Sequence, residues 1–185
     1  MKVPVGISMR HVHLTESIYW QLFDEELQVV RPLNQIGEFA SDKFVTLKTA
    51  KNTLEKVRIV GPFRQYNQVE ISKTDSYTLG INPPVRMSGN VEDSLGIVLM
   101  TEKGMIELDQ GVIIAQRHVH LSASNTKGFK DNQLVLIKVD SLKGGYMQAL
   151  TKISDNGYFE LHIDTDDANS FLLENDAEVE IVKEI

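Results

Sequence analysis

Cysteine is absent from this 185-residue chain. That absence removes disulfides, thiolate metal ligands and any cysteine nucleophile, and it favours an intracellular protein. No apolar run approaches twenty residues, so no transmembrane helix and no membrane partner are expected. The start, MKVPVGISMR, enters a strand-like segment directly and reads neither as a secretory signal nor as an amphipathic extension. Net charge is -7 and Lys and Arg form no cluster. The basic stripe of a nucleic-acid binder is therefore missing, and an anionic substrate has to be held by a few placed cations. Histidine is scarce as well: of five in the chain, four fall in two short segments, MRHVHLT (residues 9–15) and QRHVHLS (residues 116–122).

What is present is mostly strand-like. Short β-branched runs bounded by Gly, Asn, Asp or Pro recur throughout: VPVGIS, KFVTLKT, KVRIVGPF, NQVEIS, GIVLMT, GMIELDQGVIIAQRHVHLS, QLVLIKV, MQALTKI, YFELHID and AEVEIVKEI. Their regular spacing argues for barrels or sandwiches. Helices are few and short. LTESIYWQLFD is expected to start at a Thr15 cap, with Glu16 in its first turn and Ile18, Leu22 and Phe23 on one face. DTDDANSFLLEND is a second, with Ala168, Phe171 and Leu172 inward, and KTDSYTLGI a third.

The two histidine segments belong to a longer repeat. TLK (46–48) precedes a turn, a strand and QVEISKTDS (68–76); LIK (136–138) precedes a turn, a strand and ELHIDTDDA (160–168). Aligning Val69-Glu70-Ile71 with Leu161-His162-Ile163 sets Asp75 against Asp167, and an insertion at about residues 25–42 distinguishes the first copy. In a strand, residues two apart share a face. Each RHVHL thus presents two imidazoles side by side and turns its Val to a core. The repeat supplies a third ligand each time, Glu70 for His11 and His13, and His162 for His118 and His120. Glu70 and His162 each stand between two apolar residues and so face away from them. A single His-x-His is common by chance; two in one frame, with the fifth histidine at the equivalent third position, point to metal. Zinc is the default, and cobalt, nickel or iron suit the same ligand types. The first set carries a carboxylate and the second is all imidazole, so the second is expected to polarise a bound ligand more strongly.

Arginines flank these positions. Arg64, six residues before Glu70, offers a fork donor for phosphate. Arg86, before a Ser-Gly turn, is a candidate for substrate binding. Arg10 and Arg117 precede the His pairs and could equally form salt bridges with carboxylates.

The ordered set VPVGISMRHVHL, GEFASDKFVTL, VRIVGPFRQYNQVEIS, LGINPPVRMSGN, GVIIAQRHVHLS and HIDTDDAN resembles the PduL-type phosphotransacylases, or phosphate propanoyltransferases, over nearly the whole chain. The resemblance implies a mainly β fold of two β-barrel domains capped by short α-helices, with the active site at their interface. One domain would comprise residues 1–9 with 116–185, the other residues 10–115. It further implies a dinuclear centre of two Zn²⁺ per chain, one on His11, His13 and Glu70 and the other on His118, His120 and His162, with Arg64 as the phosphate-binding, catalytic arginine. Members of the family packaged in bacterial microcompartments often carry an N-terminal amphipathic extension. The resemblance therefore leaves open a cytoplasmic or a microcompartment setting, and a homo-oligomer.

The implied reaction interconverts a short-chain acyl-CoA (acetyl-CoA or propanoyl-CoA) and phosphate with an acyl phosphate and coenzyme A. With no cysteine and no Ser-His-Asp spacing, direct transfer in a ternary complex is expected. Two rivals remain: a metal-dependent thioester or acyl-phosphate hydrolase, which needs no phosphate, and a zinc-stabilised binding module, whose metals would be fully coordinated.

Overall fold

The computed structural model describes residues 1–155 and 157–184. Its elements, in chain order, are β1 (Lys2–Ser8), β2 (His11–His13), α1 (Glu16–Leu22), β3 (Val29–Pro32), β4 (Phe39–Lys48), β5 (Thr53–Gly61), β6 (Gln68–Glu70), α2 (Lys73–Leu79), β7 (Val85–Arg86), β8 (Leu95–Met100), β9 (Met105–Ala115), β10 (His118–Ser122), β11 (Leu134–Val139), β12 (Gly145–Ser154), β13 (Glu160–Asp164), α3 (Thr165–Phe171) and β14 (Glu178–Glu184). The last residue of the expected final strand, Ile185, lies outside the described residues.

The chain divides into two compact units, Met1–Met9 with Gln116–Ile185, and Arg10–Ala115. In the first, six strands close in the order β1-β13-β10-β12-β11-β14. In the second, β4-β5-β2-β6-β9 closes through β8, which pairs with both β4 and β9; β3 adds to β4 and β7 to β9. The two circuits match strand for strand. β2 and β10 each run parallel to one neighbour (β5, β12) and antiparallel to the other (β6, β13), and β6 and β13 each run parallel to the next (β9, β1). Both strands preceding a His pair thus belong to the unit that the pair does not join.

Alternation builds each core. Val12 and Val119, the middle residues of the two His-Val-His triplets, are fully buried, as are Val69 and Leu161 across from them. Val12 belongs to one buried core with Leu14, Tyr19, Leu47, Val57, Ile59 and Leu99, and Val119 to the other with Val3, Val5, Leu121, Val135, Ile137 and Leu161. Burying such a side chain stabilises by about 1.5–3 kcal/mol relative to leaving it exposed. A polar residue at either Val would therefore empty the wall that carries the imidazoles.

Several expectations change in detail. The single run at residues 104–122 is broken at Gln116-Arg117 into β9 and β10, because its two ends pair with different partners. Ala115 lies beside Arg86 of β7, whereas His118 lies between β12 and β13. Strands β3 and β7 were not expected from the sequence. β3 is an exposed edge strand, so neither face imposes the alternation that betrays a strand. Thr15 caps α1, its Oγ1 accepting from the Ile18 N–H at 3.4 Å. The buried residues of that helix are Tyr19 and Leu22, with Ile18 and Phe23 packed beside them. Leu172, expected to point inward, is half exposed. It is the left-handed C-cap of α3 at φ 51°, its N–H donating to the carbonyls of Ala168 and Asn169. Closing the helix there turns the side chain off the buried face.

Candidate metal centre

Antiparallel pairing of β2 with β6 sets His11 opposite Glu70 and His13 opposite Gln68. These four side chains share the face opposite Val12 and Val69. His11 Nε2 lies 3.2 Å from His13 Nε2 and 3.7 Å from Glu70 Oε2. His13 Nδ1 donates to the Val60 carbonyl at 3.1 Å, which fixes its proton there and leaves the Nε2 lone pair for the centre. The Gln68 amide donates to Glu70 Oε1 at 2.6 Å and to Ser88 Oγ at 2.9 Å, and its oxygen accepts from the Gly89 N–H at 2.7 Å. One carboxylate oxygen of Glu70 is thereby held, and the other is turned to the imidazoles.

The second triad repeats this register. His118 pairs with His162 and His120 with Glu160. His118 Nε2 and His120 Nε2 stand 3.0 Å apart, and His120 Nε2 is 3.3 Å from His162 Nδ1. His118 Nδ1 donates to the Gln116 carbonyl at 2.7 Å. Burial first, and then the neighbouring His120, pushes the His118 pKa down to about 3; burial and His162 do the same to His120. Both rings are neutral at pH 7, the form that ligates metal.

The equivalence extends past the ligands. Arg10 donates to Asp75 at 2.8 Å and Arg117 to Asp167 at 2.9 Å. Each Asp stands three residues after a helix cap, Ser72 for α2 and Asp164 for α3. The salt-bridge alternative thus holds for both arginines. Burial raises the Asp167 pKa, with the Arg117 charge opposing it. These pairs fix each helix end to the strand bearing the imidazoles and are weak evidence of net stability.

Arg64 is held rather than free. Its Nη2 donates to Glu38 at 2.6 Å and its Nη1 to the Tyr66 hydroxyl at 3.3 Å, and its backbone N–H donates to the Leu14 carbonyl. Only 18% of its side chain is exposed, because the insertion at 25–42 supplies a carboxylate, Glu38, that draws the guanidinium in. Arg86 lies in β7 and forms no ion pair among the described residues, and Ser88 and Gly89 just beyond it contact Gln68.

Each unit therefore gathers one group of donors, His11, His13 and Glu70 in one and His118, His120 and His162 in the other. Within each, the ligand atoms lie within 4.8 Å of one another. Nitrogen lone pairs brought this close repel unless a proton or a cation lies between them. Zn²⁺ takes such neutral imidazoles with at most one carboxylate, so the residues fit the metal. Sequence reasoning missed Gln68, Glu38, Tyr66 and Glu160. Strand alternation could have found Gln68 and Glu160, since each stands two residues before a third ligand on the same face.

The comparisons agree with this architecture. A family model described as phosphate propanoyltransferase matches residues 4–174. The phosphate propanoyltransferase of Rhodopseudomonas palustris is 39% identical over 187 residues, covering 98% of this chain and 83% of the relative. That of Lachnoclostridium phytofermentans is 41% identical (91% and 81% covered), and that of Thermotoga maritima 40% identical (97% and 88%). Barrels of this make and matches of this length define an acyl-transferring enzyme of the phosphotransacylase class. The chain belongs to the phosphate propanoyltransferase family. Among the described residues, no helix is long and apolar enough to cross a membrane.

Proposed function

We propose that this chain exchanges a short-chain acyl group between coenzyme A and inorganic phosphate at a centre of two zinc ions. His11, His13 and Glu70 hold one ion, and His118, His120 and His162 the other. The observation that carries the reading is that the third donor of each triad lies directly across from the first histidine of its pair, at Glu70 and at His162. Bound there, Zn²⁺ supplies Lewis acidity toward an acyl carbonyl and favours the thiolate form of a thiol.

The chain's own residues do the rest. Three protein donors per ion leave room for a substrate atom. Arg64 takes phosphate with the N–H groups that Glu38 and Tyr66 leave unused, since a guanidinium has five. Those two partners fix the plane of the fork before phosphate arrives. Arg86 is assigned to substrate binding. With no cysteine and no Ser-His-Asp spacing to form an acyl-enzyme, phosphate oxygen is assigned direct attack on the thioester carbonyl, the C–S bond breaking as CoA leaves as the thiol or thiolate. Placement in a bacterial microcompartment and assembly as a homo-oligomer belong to the same proposal. The test follows loss of several acyl-CoAs with and without phosphate. The reading expects phosphate-dependent loss, fastest for acetyl or propanoyl chains, with acyl phosphate formed. CoA release at an unchanged rate without phosphate would instead identify a hydrolase.

A further inference from the structure

Three of the imidazoles at the two triads can be compared by how the nitrogen turned away from the centre is held. His13 Nδ1 has the Val60 carbonyl and His118 Nδ1 the Gln116 carbonyl. His120 differs: its Nδ1 is buried and has no hydrogen-bond partner among the described residues. Metal-ligating imidazoles usually donate that second N–H to a carboxylate or carbonyl, which sets ring orientation and ligand strength. Something else must orient His120.

The structure offers one candidate. The Tyr158 ring stacks on His120 with centroids 4.9 Å apart and planes 19° from parallel. The Tyr158 hydroxyl donates to Glu160 Oε1 at 3.0 Å. Glu160 is only 5% exposed and is the cross-strand partner of His120. Its place is built in: a methyl group at Gly6 of the adjoining β1 would overlap the Glu160 carboxyl. The Glu160 carboxyl is thus buried in a place that a glycine keeps open for it.

The repeat gives that carboxyl a counterpart. Glu160 occupies the position of Gln68, and His162 that of Glu70. Each four-residue face therefore holds one carboxylate, at exchanged places: among the ligands in the first, beside them in the second. The second donor set itself remains all imidazole, as expected, with its carboxylate standing beside the ligands.

We propose that Glu160 is a positioning residue of the second triad: through Tyr158 it fixes the His120 ring, and it gives a bound divalent cation the negative charge that Glu70 gives at the first. This rests on the reading that His118, His120 and His162 hold a metal. The test titrates metal-free full-length chain with Co²⁺, whose visible spectrum reports coordination, or with Zn²⁺ against a chromophoric chelator. Wild type should take two equivalents, and His118→Ala identifies the one belonging to the second triad. Glu160→Gln, equal in volume, should weaken that equivalent alone by about 10–100-fold. Tyr158→Phe, which keeps the stacked ring and loses the tether, should weaken the same equivalent by less. Thermal unfolding of the metal-free variants separates this from a purely structural role, which would lower the melting temperature without a site-selective loss of affinity. Wild-type affinity at both equivalents in Glu160→Gln, or equal weakening of both, overturns the proposal. A chain in which His118→Ala removes no equivalent overturns the underlying reading too, so the two failures are told apart without the Glu160 and Tyr158 variants.

Discussion

Arg64 illustrates how one side chain can be committed twice. It is an ion-pair partner of Glu38, and it is the group assigned to phosphate. Arg64→Ala would remove both roles and leave a carboxylate that is itself only 16% exposed without its cation, costing about 1–3 kcal/mol of stability. Arg64→Lys is the sharper probe, because the charge toward Glu38 survives while the planar fork is lost. We expect Arg64→Lys to retain most of its stability and to raise the KM for phosphate at least tenfold, with a smaller change in the KM for acyl-CoA. Steady-state kinetics with phosphate varied at saturating acyl-CoA would check this, and an unchanged phosphate KM would return Arg64 to a structural ion pair. Leu172 makes a second prediction at this scale. It holds a left-handed C-cap at φ 51°, where the matching cap of α2 is Gly80 at φ 67°. Leucine is strained there and half exposed. Leu172→Gly should therefore stabilise by about 0.5–1 kcal/mol after the added freedom of the unfolded chain is counted. A higher denaturant midpoint at unchanged slope would show it; a lower midpoint would mean that the leucine is covered in solution.

At the scale of elements, the imidazole-bearing strands couple acidity to stability. The His118 and His120 pKa values are depressed to about 3, against about 6.5 in the unfolded chain. Between those values the unfolded state binds more protons than the folded one. Stability is thus fully present above pH 6.5 and is lost as pH falls toward 3. The slope is up to about 1.4 kcal/mol per pH unit for each histidine in the steep part of that window. Chemical denaturation in the presence of a chelator at pH 7, 6 and 5 should show this loss, and His118→Asn should flatten it. An unchanged slope in that variant would mean that His118 is not buried as a neutral ring. The same elements show what the sequence could disclose. His-Val-His was legible because alternation forces both rings to one face and Val to the core. Glu70 and His162 were legible because each sits between apolar neighbours. β3 was not, since an exposed edge strand needs no pattern. Nor was the Glu38 contact with Arg64, which depends on how a hairpin in the insertion folds back, and no local periodicity encodes that.

For the molecule as a whole, duplication is the organising fact. Two six-strand circuits carry the same order of parallel and antiparallel neighbours, the same Arg-Asp tie to a helix start, and a donor triad in the same register. The exchange of Gln68 and Glu70 for Glu160 and His162 keeps one carboxylate on each face while making the two sites chemically unequal. The fold class was readable from the spacing of short strands and from the family resemblance. The exchange of carboxylates became visible only once the register paired His13 with Gln68 and His120 with Glu160. The most direct test of this account is the metal content of chain purified without chelator, measured by elemental analysis for wild type, His11→Ala and His118→Ala. The account predicts about two equivalents in wild type and about one in each variant, from two sets of three donors. A wild-type chain that is metal-free and still exchanges acyl groups with phosphate at full rate would contradict it.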